Sequence, residues 1–180
     1  MYFNSAGKIN TQDTVDLALK AAVEKNIKYI VVASSSGDTA KLLINKKDIN
    51  IICVTHANGF PEPGKNEMPL EIRGELESLG MKVLTTTHVL SGAERGISKS
   101  FGGVYPVEII ANSLRMFGQG TKVCVEVSIM ALDAGLIPYR EPIIAIGGTG
   151  KGADTAVIIT PSHDSSIFET KIYEIICKPR

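Results

Sequence analysis

The sequence predicts an α/β protein: a three-layer α/β/α arrangement around a mostly parallel, mixed sheet of about five or six strands, in a single domain spanning residues 1–180. Three observations lead there. Short β-branched runs such as YIVVA and INIICVT show no polar alternation, as expected of strands covered on both faces. Helical and strand patterns alternate through the first two-thirds of the chain, the signature of parallel strands joined by helices. In the last third, strand-like runs follow one another across short turns, which predicts an antiparallel edge.

In order along the chain, Thr11–Asn26 carries apolar residues at helical spacing, with Asn10 or Thr11 as cap and Asp13 in the first turn. Tyr29–Ala33 is a buried strand, Asp38–Lys46 a helix and Ile49–Thr55 a second strand. HANGFPEPGKNEM (56–68) contains two prolines and two glycines and continues neither element. Pro69 suits the first turn of a helix that runs to about Leu79 and stops at Gly80. Lys82–Thr86 reads as a third strand, and the glycine-containing stretch 88–103 as a long loop. Helices are expected over Pro106–Phe117 and Thr121–Ala134. Pro142–Ile146, Thr155–Thr160 and Lys171–Ile176 are the remaining strands.

The composition is that of an ordinary globular chain, 44% hydrophobic with a net charge of zero. A balanced charge exerts no long-range pull on nucleic acid or an anionic membrane, so neither is expected as a partner. No apolar run is long enough to span a bilayer. MYFNSAGKIN lacks the basic and apolar regions of a signal peptide, and a cytoplasmic location is expected. Cys53, Cys124 and Cys177 lie in apolar runs without CxxC spacing and read as buried reduced thiols. His56, His88 and His163 have no HxH or HxxxH spacing, so no metal site is expected.

In a parallel sheet the strand-to-helix loops leave from the carboxyl edge, where ligands bind. Four polar segments meet that condition: Ser34–Thr39, Thr55–Gly59, Thr85–Gly103 and Gly147–Gly152. In SSSGDT, Gly37 allows a sharp turn whose N–H groups can converge on an anion. The following helix points its free N–H groups the same way, and Ser34, Ser35, Ser36 and Thr39 add hydroxyls. Ser36 or Asp38 could serve only as a helix cap. One residue suffices for that, however, and three serines exceed it. Asp38 counts against an anion unless it faces solvent or a sugar hydroxyl. At Thr55 and His56 a strand end offers a plausible acid–base position, although His56 equally suits a loop hydrogen bond.

Arg95 can fork onto a phosphate and Lys99 add a point charge, or both can be solvated surface residues. Phe101 and Tyr105 could stack on a ring or pack in the core. AIGGTGKGADTAVIIT (145–160) fits neither nucleotide-binding template. Walker A requires glycine where Ala145 stands and Ser or Thr where Gly152 stands. The dinucleotide fingerprint requires a helix where Ala153–Thr160 is β-rich. A turn remains in which Gly147, Gly148 and Thr149 permit close approach of a ligand and Lys151 supplies charge, or which is simply a hairpin. No catalytic constellation stands out.

IVVASSSGDTAKLL followed by INIICVTHA resembles the carboxy-terminal α/β domain of pyruvate kinase, with the local match at Ser36, Gly37, Thr39 and Ala40. There the equivalent turn holds a sugar phosphate in the allosteric site. Over nearly its full length, including SGAERGISKSFGGVYPVEIIANSLRMFGQG and AIGGTGKGADTA, the chain also resembles small stand-alone proteins of that domain type. The resemblance implies a phosphate pocket at the carboxyl edge, with flavin mononucleotide (FMN) as the ligand to test first. It does not carry over kinase activity, because the (β/α)8 barrel that performs it needs about 250 residues. Asp38 stands where pyruvate kinases commonly have a basic or polar residue.

The expected function is binding of a phosphorylated small molecule, FMN or another nucleotide or sugar phosphate, as a regulatory or carrier module. The alternatives are a small flavin- or phosphate-dependent enzyme using the same pocket, and an interaction subunit with a vestigial site. Helices apolar on more than one face between Ile109 and Leu136 predict a homo-oligomer.

Overall fold

The computed structural model describes residues 1–44 and 48–180. Its elements are β1 (Tyr2–Phe3), α1 (Thr11–Glu24), β2 (Tyr29–Ala33), α2 (Asp38–Lys41), β3 (Asn50–Val54), α3 (Leu70–Ser78) and β4 (Lys82–Leu84). There follow α4 (Gly92–Phe101), α5 (Pro106–Arg115), α6 (Gln119–Asp133), β5 (Ile143–Gly147), β6 (Thr155–Thr160) and β7 (Lys171–Pro179). Short 3-10 turns occupy Lys8–Asn10 and Asp164–Glu169.

The strands form one seven-stranded sheet in the order β1-β7-β6-β5-β2-β3-β4. β5, β2, β3 and β4 run parallel, so all four open their carboxyl ends on the same edge. β6 and β7 are antiparallel additions, and β1 closes the far edge parallel to β7. The lack of polar alternation in YIVVA has its expected cause. Ile30 and Val32 face one core and Val31 the other, all fully buried. α1 and α3 cover the first face, through residues such as Val15, Ala18 and Leu76. α6 covers the second, and α5 lies outside it, so twelve of the fifteen α6 residues are buried. Cys53, Cys124 and Cys177 are free and buried.

The sheet has one more strand than the upper expectation. Tyr2–Phe3 is a two-residue strand, too short to leave a pattern in the sequence. The segment read as a loop over 88–103 contains a ten-residue helix, α4, none of whose residues is buried. Its two glycines, Gly92 and Gly96, hid a pattern in which Ala93, Ile97 and Phe101 recur at helical spacing. The helix expected over Asp38–Lys46 is one turn, Asp38–Lys41, followed by turns to Ile44. The remainder of that expected helix, 45–46, lies outside the described residues.

Candidate functional site

β2 ends at Ala33, and the chain leaves the carboxyl edge beside β3, tied by Ser34 N–H donating to the Val54 carbonyl at 3.0 Å. Gly37 then turns it with φ +92°, a left-handed conformation that favours glycine. A Cβ there would come within 2.5 Å of Ile72 on α3, so the turn is also pressed against that helix. Ser34 Oγ is buried and accepts from Ala40 N–H at 3.4 Å, while Ser36 Oγ accepts from Asp38 N–H at 3.5 Å. Ser34 thus braces the turn from its buried side and Ser36 from its exposed side. The amides of Ser35, Ser36, Gly37 and Thr39 have no acceptor among the described residues.

The turn opens into a cleft of about 1330 Å³ that also receives the loops after β3 and β4, the hairpin between β5 and β6, the 3-10 turn at Lys8–Asn10 and the first turns of α6. Eleven of the fourteen residues singled out from the sequence line it: Ser34, Ser35, Ser36, Asp38, Thr39, Thr55, His56, Arg95, Lys99, Gly148 and Lys151. Gly37, Gly147 and Thr149 do not line it. Gly37 is turned toward α3, and a Cβ on Gly147 would lie 2.6 Å from the Gly120 carbonyl of α6. Gly147 thus lets the end of β5 lie against the helix backbone and offers no face to a ligand. Phe101 is not among the lining residues and is exposed.

The β5–β6 connection is a hairpin, with Gly147 paired to Thr155. The buried carboxylate of Asp154 accepts from Gly7 N–H at 2.9 Å and from Thr155 Oγ1 at 2.7 Å. Ala153 N–H donates to Thr11 Oγ1 at 3.0 Å. These bonds fasten the start of the chain to the hairpin and bring Lys8 and Lys151 to one side of the cleft. Arg95 and Lys99, four residues apart on α4, stand on the wall after β4. The lining contains six Lys or Arg and three Asp or Glu, in a chain whose charges balance overall. Lys8, Arg95, Lys99 and Lys151 form no ion pair among the described residues.

The floor contains groups the sequence reading did not assemble. The rings of His56 and His88, 32 residues apart, have centroids 5.5 Å apart. His56 Nδ1 is hydrogen-bonded to Glu67, and its ring meets Phe60 edge-on. His88 Nδ1 is 3.9 Å from Glu126 Oε2 on α6. Glu126 also receives Lys122 Nζ at 2.5 Å and Leu90 N–H at 3.0 Å, with both side chains of the pair buried. Burial, more than the opposing attraction of Glu126, holds the His88 pKa below its usual range, with His56 and Lys122 adding to the lowering. One sequence signal pointed here: Glu126 is the single charged residue between Val123 and Leu132. Among the described residues no three His, Cys, Asp or Glu side chains converge as metal ligands would, and no helix is long and apolar enough to cross a membrane.

A mostly parallel sheet with helices on both faces and a cleft at its carboxyl edge defines a layered α/β domain in its general class. The family model described as pyruvate kinase, alpha/beta domain, matches residues 12–159, and the chain belongs to that family. Similar solved structures include two of pyruvate kinase from Cryptosporidium parvum, each 19% identical. One match covers 77% of this chain and 20% of that one at a TM-score of 0.41; the other covers 84% and 22% at 0.42. A third, the same organism's pyruvate kinase in complex with ADP, is 19% identical over 82% of this chain and 22% of that one, with a TM-score of 0.41. The chain spans about a fifth of the length of these pyruvate kinases.

Proposed function

We propose that the cleft binds a phosphorylated small molecule, and that the chain acts as a regulatory or carrier module built on this site. The observation that carries the reading is the charge of the cleft: six cations against three carboxylates, within a chain of net charge zero. Two of those carboxylates are already engaged, Glu67 with His56 and Glu126 with Lys122. Lys8, Arg95, Lys99 and Lys151 are left to face an anion. A one-turn α2 carries little macrodipole, so the phosphate is held by the open amides of the Ser35–Thr39 turn and by these side chains. Arg95 offers a fork that matches two phosphate oxygens, and the lysines add point charges.

The size and lining of the cleft support FMN as a candidate ligand. At about 1330 Å³ the space exceeds the roughly 300–1,000 Å³ typical of small-molecule sites. Val123, Val127 and Met130 on α6, and Phe60 on the loop after β3, supply apolar lining for a flat ring, and the serine turn provides for a phosphate. Bound there, FMN would supply reversible electron transfer.

Calorimetric titration with inorganic phosphate, FMN and a sugar phosphate tests the reading. Binding of at least one phosphorylated ligand is expected to weaken as salt is raised. Arg95→Ala combined with Lys99→Ala is expected to weaken it about tenfold or more, at roughly 1.5–3 kcal/mol per charged hydrogen bond lost. Absence of heat with all three ligands at millimolar concentration would refute it.

A further inference from the structure

Phosphate binding does not account for the cluster at the floor of the cleft. α6 is apolar around Lys122 and Glu126, and residues such as Met and Leu at those positions would avoid the desolvation that a buried ion pair incurs. Yet the pair is present, and its carboxylate is turned toward His88 at 3.9 Å while the Leu90 amide holds its other oxygen. A second imidazole, His56, lies 5.5 Å away, backed by a carboxylate of its own, Glu67. The two rings differ in setting: His88 is the more enclosed, with 24% of its side chain exposed against 38% for His56. Paired titratable groups in unlike surroundings, opening onto one ligand cleft, are how proteins divide acid and base roles.

We propose that His56 and His88 are an acid–base pair that moves a proton on the bound ligand, and that this ligand is a phosphorylated α-hydroxycarbonyl compound such as a triose or pentose phosphate. The proposal rests on the phosphate-binding reading, which supplies the anchor. His88, with Glu126 and Lys122 facing it from α6 and His56 from the loop after β3, takes the proton from the carbon beside the carbonyl. The C–H bond breaks, an N–H bond forms, and the electron pair becomes the carbon–carbon double bond of an enediol. The carbonyl oxygen receives a proton from His56, whose other nitrogen is held by Glu67. The reverse steps return a proton to carbon, so charge and electrons balance and no co-reactant is consumed. Burial keeps His88 neutral and able to accept near neutral pH. Glu126 acts through His88 as a positioning residue.

The test incubates the full chain in D2O with dihydroxyacetone phosphate or ribose 5-phosphate. Proton NMR follows loss of the carbon-bound proton, and phosphorus NMR reads binding in the same samples. Exchange is expected above the buffer rate and should fall by about 10²-fold or more in His88→Asn and in His56→Asn, the usual contribution of a positioned acid or base. Glu126→Gln is expected to move the pH profile of exchange, which a merely structural role would not do. If His88→Asn fails to fold, the double variant Lys122→Met/Glu126→Leu keeps both histidines in an apolar setting and should shift the same profile. Phosphorus-detected binding without exchange would overturn the acid–base pair and leave the binding site standing. Absence of both would overturn the two readings together. Exchange that survives both histidine substitutions would assign it to other groups and overturn the proposal.

Discussion

Gly37 links a single backbone angle to the whole site. With φ +92° and Ile72 within 2.5 Å of any added Cβ, Gly37→Ala pays for both strain and overpacking. A loss of about 2–4 kcal/mol is expected from denaturant unfolding. The glycine and its turn were legible in the sequence because few other residues accept that conformation. The pairing of His56 with His88 was not, since it depends on β3 and β4 lying side by side, and no local spacing records that. His88 gives a signed prediction. Its pKa is lowered in the fold by burial, so the unfolded chain binds its proton first as pH drops. The stability this contributes is complete above the unfolded value near 6.5 and is lost as pH falls from there toward the lower folded value. Unfolding measured across that window should show a slope in the native protein that His88→Asn flattens; equal slopes would contradict it. Cys53 is pushed up to about 12 by burial, against a smaller lowering by Arg73, and burial raises Cys124 and Cys177 as well. No thiol is expected to react with a disulfide reagent at neutral pH until the chain is unfolded, when all three should.

At the scale of elements, the central strands and α1 were readable because one residue pattern met one environment. β2 is covered by α1 on one face and α6 on the other, so its residues are apolar throughout. α4 was hidden for the opposite reason. It buries nothing fully and includes Gly92 and Gly96, so neither burial nor propensity marked it. Lys122 and Glu126 have the spacing of a common exposed helix pair. Only the packing of α5 and of the segment after β4 over α6 makes them interior. That placement has a measurable consequence. Lys122→Met leaves a buried carboxylate without its cation and is expected to cost about 3–5 kcal/mol. The double variant Lys122→Met/Glu126→Leu should recover most of that loss, or exceed the native stability. Equal losses in the single and double variants would show that the pair is not buried as described.

For the whole molecule, segregation of charge matters more than its total. A zero net charge concealed a cleft with twice as many basic as acidic residues, because folding gathers Lys8, Arg95, Lys99, Arg115, Lys122 and Lys151 from distant segments. Apolar side chains are segregated too. Ile109 of α5 and, just beyond its end, Met116 and Phe117 are exposed, with Phe168 beside them along a groove of about 620 Å³. We predict that the chain self-associates, and sedimentation giving only the 19.3 kDa monomer at high micromolar concentration would contradict this. The proposed function requires the turn after β2 to receive a phosphate. Its most direct test is an amide-resolved NMR titration of the labelled protein with inorganic phosphate and with FMN. The amide resonances of Ser35–Thr39 should move together and saturate with at least one of the two. If they stay fixed while either compound is raised to millimolar concentration, the site does not hold a phosphate.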